Sequence, residues 1–315
     1  MQVKKITVLG GSGFVGSSVI AKLDAAGYAV TVLTRKRETA KHLFLLPNVK
    51  VLGCHVLDAQ ALKQALQGTD AVINLIGILH QNRRLRFDTV HHQLPAQIAQ
   101  ICVDLGIKRL IHMSSLRASA DAPSEYLRSK AAGEAALSKY ANELDITVFK
   151  PSIIFGRGDK FINLFAGLIK CLPLILLAKP NAKFQPIWVE DVASCFSACI
   201  QNRDTYGQTY ELAGPKVYTF RALLKQIMQV IATQRPIIGL CDKLSYAQAF
   251  MMEFLPVKLM SRDNVRSMQV DSVSDSPFPS QFCVEPASME AIIPEYLVDA
   301  TQRGAYDRYR SIAAR

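Results

Sequence analysis

Short apolar runs alternate with stretches of helical period through the first half of the chain. Residues 3–9 are apolar except at Lys4, Lys5 and Thr7, after which Val15, Val19, Ile20 and Leu23 recur at helical spacing. Residues 29–33 and 49–56 read as a second and a third strand, and Asp58 opens a helix over 59–66. The run 71–78 is almost wholly apolar, the mark of a strand buried on both faces. A polar, basic loop to Arg86 then leads into a long helix ending near Leu105 and Gly106. A fifth strand follows over 107–113, a helix over 124–144, and a sixth strand over 146–149 that stops at Pro151, because proline cannot continue the ladder. Six strands alternating with helices predict an α/β fold, a doubly wound parallel sheet with right-handed crossovers.

Beyond Pro151 the alternation loosens. Helices are expected over 161–169, 191–200 and 220–231, and short strands over 184–189 and 208–212. Residues 171–178 are strongly apolar but broken at Pro173. Asn163, Lys170 and Pro173 together argue against a membrane span across 161–178. With no internal repeat or low-complexity linker, this half reads as a compact cap, with 161–178 as its apolar covering segment.

The turn Gly10-Gly11-Ser12-Gly13-Phe14-Val15-Gly16 joins the first strand to the first helix. Strand, glycine turn, helix is the context a dinucleotide fingerprint requires, although the first gap here is one residue wider than usual. Gly10 can take backbone angles closed to other residues, Gly13 lets the chain approach a pyrophosphate, and Gly16 lets helix and strand pack closely. Free N–H groups around Ser12, Phe14 and Val15 would face the phosphates. A Rossmann-type nucleotide domain over 1–155 is therefore expected. A smaller substrate-side lobe would occupy 156–315, with the chain free to cross back.

Composition changes this picture little. Half of the 315 residues are apolar and a fifth are charged, as in ordinary α/β proteins. Seven cysteines without a Cys-x-x-Cys pair suit a reducing, cytoplasmic compartment, and the immediate first strand leaves no room for a signal peptide. Cys195 and Cys199, one helical turn apart, read as core thiols. The net charge of +11 sits in knots: Arg35-Lys36-Arg37, Arg83-Arg84-Arg86 and the stretch 303–315. Such knots suit nucleotide phosphates or an anionic membrane surface, and no nucleic-acid module is visible.

Tyr126 and Lys130, four apart on the helix after the fifth strand, share one helix face. An adjacent ammonium favours phenolate, so the pair can move a proton at a carbonyl or alcohol oxygen. Surface Tyr/Lys pairs are common, but this one follows the carboxyl end of a strand, where open α/β sheets bind ligands. Ser114 and Ser115 lie at that same end; they either donate to a substrate oxygen or satisfy loop backbone. Arg35 takes the place where many dinucleotide folds carry an acid for the ribose hydroxyls, which favours a 2′-phosphate and hence NADP(H). A solvated basic turn is the plainer alternative. Asp58 suits either an adenine amino group or a helix N-cap. His91 and His92 read as a helix-face pair, since no nearby carboxylate or thiol spacing suggests a metal.

Together the glycine turn, Asp58, Tyr126 with Lys130, and residues 150–156 (KPSIIFG) resemble the short-chain dehydrogenase/reductase superfamily in its extended, epimerase/dehydratase-like and atypical branches. Residues 126–134 (YLRSKAAGE), 155–159 (FGRGD), 184–192 (FQPIWVEDV) and 293–297 (IPEYL) are similar to one atypical branch in particular. That branch contains the nucleotide-binding accessory subunit of respiratory complex I and its bacterial relatives. The resemblance implies NADP(H) or NAD(H) along the strand ends. Leu75, Ile76 and Gly77 would line the ribose side, Lys130 would bond the nicotinamide ribose, and Pro151 and Ile154 would lie near the nicotinamide. It also implies a catalytic serine or threonine two places after Ser114, where this chain has Leu116, so either a neighbouring serine substitutes or that role is gone. Two functions follow. One is an oxidoreductase acting on a small apolar or quinone-like carbonyl or alcohol. The other is a non-catalytic nucleotide-binding protein docked on a respiratory complex or, peripherally, on a membrane.

Overall fold

The apolar runs pair with one another because only a sheet covered on both faces removes all their side chains from water. The computed structural model describes residues 3–82, 85–254 and 259–297. Seven strands form the main sheet: β1 (Lys5–Leu9), β2 (Ala29–Thr34), β3 (Val49–Gly53), β4 (Ala71–Asn74), β5 (Arg109–Met113), β6 (Asp145–Pro151) and β7 (Thr209–Leu212). Their order is β7-β6-β5-β4-β1-β2-β3, and every neighbour is parallel. Helices α1 (Phe14–Ala25), α2 (Ala59–Ala65), α3 (Leu94–Asp104), α4 (Glu125–Ser138) and α5 (Val189–Ala198) accompany it. Strand alternation divides the core. Val8 and Val32 approach Ile20 of α1 around Gly11, whereas Leu9 and Leu33 join a cluster with Leu62, Ile98 and Leu137 from α2, α3 and α4.

Three readings of the pattern change in the first unit. Residues 208–212, read with the second half, supply β7, the seventh strand, which pairs with β6 from Thr209↔Val148 to Leu212↔Pro151. The run 71–78 is a strand only to Asn74. After it, the Ile76 N–H bonds to the Asn74 side chain and the Ile78 N–H to a histidine ring, so side chains replace the ladder. Helix α4 begins after its N-cap Ser124 as expected but ends at Ser138, and 139–144 turn back toward β6.

The chain divides into two compact units. The first comprises residues up to Pro151, Val189–Leu212 and Ser274–Glu285; the second comprises Ser152–Trp188, Ala213–Val273 and the described residues from Pro286 onward. The second unit is built on three two-stranded pairs, Ile154–Phe155 with Ile187–Trp188, Lys183–Phe184 with Tyr218–Thr219, and Ile175–Leu177 with Ile237–Gly239. Residues 184–189 therefore contribute to two short strands and the start of α5 rather than to one strand. The buried Asp159 carboxylate accepts from the backbone N–H groups of Phe161 and Ile162 and from the Tyr296 hydroxyl at 3.3 Å. That bond ties two of the quoted sequence stretches, 155–159 and 293–297, into one core.

Candidate functional site

Gly10 has φ of +80°, and a Cβ there would press on the Leu75–Ile76 peptide at 3.1 Å. A Cβ on Gly16 would lie 2.5 Å from the Gly10 carbonyl oxygen, so the first turn of α1 can sit against the loop only as glycine. Gly11 faces the side chains of Ile20 and Val32, which would have to shift to admit a Cβ there. At Gly13 a Cβ would meet only the Gly10 oxygen, which leaves the helix start open. Gly13 caps α1 without a side chain, so the N–H groups of Phe14, Val15 and Gly16 belong to the unpaired first turn. The Ser12 hydroxyl turns the other way and donates to Thr34 Oγ1 at 3.3 Å.

The loop after β4 is held by a residue whose role the sequence did not reveal. His91 is buried in a π-helical turn, Asp88–Gln93, that runs into α3. Its Nε2 accepts the Ile78 N–H at 3.0 Å, so Nδ1 must carry the proton that reaches Ser129 Oγ at 2.9 Å. Ser129 in turn donates to the Tyr126 carbonyl. Burial first, then Lys130 and His112, pushes the His91 ring down to about 2, which keeps it neutral. One signal was available: an unbroken helical period with a histidine at a buried position.

Lys130 lies beneath that loop. Its Nζ is 3.2 Å from where a Gly77 Cβ would stand and donates to the Met113 carbonyl at 3.1 Å. Burial lowers its ammonium to about 8 against the opposing charge of Glu134. Tyr126 is half-buried, its ring edge-on to His91 and Phe87 at centroid distances of 5.5 and 5.8 Å. Here the expected depression of the phenol is corrected. Burial raises its pKa, and a hydrogen bond with the Ser115 side chain works against that rise.

The two candidate serines are thereby distinguished. Ser114 is buried and donates to Glu134, whose other oxygen accepts from Lys150 at 3.3 Å. Ser115 is the serine beside the Tyr126 hydroxyl. Leu116 is buried, 2 % exposed, and carries no polar group.

The glycine turn, Leu75, Ile76, Gly77 and Lys130 are thus contiguous. Arg35 follows Thr34 at the end of β2, exposed, and Leu33 is registered beside Leu52 of β3 while β1 flanks the other side. Asp58 caps α2, accepting from Gln60 and Ala61 at 3.0 and 3.1 Å. Pro151 ends β6 in the first unit; Ile154 belongs to the second and pairs with Ile187. Arg83, Arg84 and the basic stretch 303–315 lie outside the described residues.

A parallel sheet in this order, with a glycine turn after β1 and a Tyr/Lys helix after β5, defines a Rossmann-type α/β protein. Residues 6–213 match the NAD dependent epimerase/dehydratase family, and the chain belongs to it. It is 32% identical over 228 residues to the mitochondrial NADH dehydrogenase [ubiquinone] 1 alpha subcomplex subunit 9 of Dictyostelium discoideum, covering 70% of this chain but only 62% of that relative. The Arabidopsis thaliana subunit of the same name is 30% identical over 318 residues, 95% of this chain and 78% of the relative. The UDP-glucose 4-epimerase of Thermotoga maritima superposes with a TM-score of 0.73 at 17% identity, over 93% of this chain and 97% of that one.

Proposed function

We propose that the chain binds NADP(H), with NAD(H) as the weaker ligand, and uses it as an oxidoreductase on a small apolar or quinone-like carbonyl or alcohol. The observation that carries this reading is the contiguity of the glycine turn, the 75–77 loop and the buried Lys130. The turn fits such a cofactor: side-chain volume is excluded at Gly10 and Gly16, while the first-turn N–H groups stay open to phosphate. When bound, the cofactor would supply two-electron exchange with the substrate carbon. Gly13, Phe14 and Val15 would hold the pyrophosphate, Arg35 a 2′-phosphate, and Leu75 to Gly77 the ribose side. Tyr126 would hold the proton delivered to or taken from the substrate oxygen, with Ser115 aligning its hydroxyl. Lys130 would orient the ribose.

A second reading rests on Leu116 and on the engagement of Ser114 by Glu134. In it the chain holds its nucleotide without turnover and docks on a respiratory complex, as the names of its relatives suggest, or at a membrane surface on the reducing, cytoplasmic side. Among the described residues no helix is long and apolar enough to cross a membrane.

Calorimetric titration tests the cofactor assignment. Charge-assisted bonds of roughly 1.5–3 kcal/mol each should make NADPH bind at least about tenfold more tightly than NADH, and Arg35→Ala should erase most of that gap. Equal affinities in the unaltered protein would sink the NADP(H) preference.

A further inference from the structure

The exposed apolar surface of the described residues gathers on one part of the second unit. Of thirteen large apolar side chains left exposed, ten lie in the span from Leu172 to Phe254. Leu176 and Ile238 are register partners in the parallel pair Ile175–Leu177 with Ile237–Gly239, so they stand side by side, 48 % and 49 % exposed. Ile175 and Leu177, the alternate positions, are buried. The helix Asp242–Met252 packs next to this pair, its Gln248 donating to the Leu176 carbonyl at 3.1 Å. Beyond it Met251 and Phe254 are 72 % and 75 % exposed. A few exposed leucines on a surface are ordinary; a contiguous cluster of this kind marks a binding face.

Charge around the cluster points to one occupant. Two carboxylates on the helix and at its end are ion-paired, Asp242 with Lys179 at 2.8 Å and Glu253 with Arg262 at 2.9 Å. Arg262 lies over the Phe250 ring at 4.9 Å, and Arg266 lies over Tyr246 at 5.7 Å and donates to its hydroxyl. Arg266 and Lys243 form no ion pair among the described residues. The strand that carries Ile238 also borders a cavity of about 280 Å³ whose lining includes Arg221, Lys225 and Arg235 and no carboxylate. Aromatic and aliphatic side chains beside uncompensated cations match the boundary between acyl chains and anionic headgroups. A second copy of a chain with net charge +11 would bring like charges together at the same place.

We propose that this face, formed by Leu176, Ile238 and the outer side of the helix Asp242–Met252 through Phe254, seats the protein on an anionic phospholipid bilayer. Lys225 and its neighbours would receive headgroup phosphates. The proposal rests on the membrane-peripheral part of the functional reading and specifies its surface.

The test is co-sedimentation of the full chain with vesicles of phosphatidylcholine alone and of phosphatidylcholine with phosphatidylglycerol. The unaltered protein should prefer the anionic vesicles by about tenfold or more. Met251→Asp with Phe254→Asp should abolish binding, and Lys225→Glu should narrow the preference; both should leave NADPH affinity and thermal melting unchanged. Should the double variant melt early, Phe254→Ser alone serves, and it should weaken binding at least about threefold. Binding that all these variants retain would overturn the assignment of this face while leaving membrane association standing. An unaltered protein that stays in solution with both vesicles would overturn both. A concentration-dependent dimer lost in the double variant, without vesicle binding, would give the face to a second copy and also overturn the proposal.

Discussion

His91 Nε2 accepts the backbone N–H of Ile78 at 3.0 Å while its Nδ1 bonds Ser129 Oγ at 2.9 Å, so one ring ties the loop after β4 to the helix that carries Tyr126 and Lys130. Replacing His91 by alanine would orphan the Ile78 N–H and open a cavity among Phe87, Tyr126 and Ser129. We expect a loss of about 2–4 kcal/mol in urea unfolding and NADPH affinity weaker by about tenfold. His91→Gln, which keeps an acceptor, should recover part of both. Unchanged stability and affinity in His91→Ala would show that the loop holds itself.

Gly133→Ala sets two effects against each other. In a helix interior the change ordinarily favours alanine by about 1 kcal/mol. Here the added Cβ would run into the His91 carbonyl oxygen, a backbone atom in the π-helical turn. Overpacking of that kind costs about 1–3 kcal/mol or more, so the variant should be less stable. Chemical denaturation gives the sign directly, and a stabilised variant would mean that the turn yields freely.

Acid and alkali should act through different buried groups. Burial holds the His91 ring down to about 2 and the His112 ring down to about 3, whereas unfolded histidine titrates near 6.5. Below pH 6.5 the unfolded chain therefore binds more protons, and stability should fall as pH falls, by up to about 1.4 kcal/mol per pH unit for each ring. Lys130 titrates near 8 folded and 10.5 unfolded, so stability should rise with pH across that window, by roughly 3 kcal/mol at most. Unfolding of the unaltered protein and of Lys130→Met from pH 7 to 10.5 measures it. A slope equal in both proteins would assign the alkaline change to other groups.

The serines should separate in one experiment. Ser115→Ala removes a partner of the Tyr126 hydroxyl and should raise the phenol pKa further, seen by tyrosinate absorbance differenced against Tyr126→Phe. Ser114→Ala should leave that titration in place and instead remove one of the two partners of Glu134, leaving Lys150. With a substrate found among quinones, aldehydes or ketosteroids, Tyr126→Phe should lower turnover by about 10²–10⁴-fold and spare NADPH affinity, while Lys130→Ala weakens both. Turnover indifferent to Tyr126 would rule out the Tyr/Lys chemistry. Tight NADPH binding with no turnover of any compound would favour the non-catalytic reading.

Local pattern was enough for most of the first unit. Apolar runs, glycine positions and caps such as Asp58 and Ser124 are decided by backbone angles and by burial within a few residues, so strands β1 to β6 and the glycine turn were legible in the chain alone. So was the four-residue spacing that puts Tyr126 and Lys130 on one helix face. Other features depend on groups far apart in sequence. Thr209–Leu212 becomes the seventh strand because β6 offers an open edge. The apolar run from Ala71 breaks at Asn74 because a histidine from the next helix takes the Ile78 N–H. Tyr126 has its pKa raised, against expectation, because its surroundings remove water more effectively than they supply charge. Ser114 and Ser115 are indistinguishable by type and adjacent in the chain, yet one faces Glu134 and the other Tyr126. Hydrogen-bond direction and desolvation are properties of the assembled neighbourhood, and no local pattern encodes them.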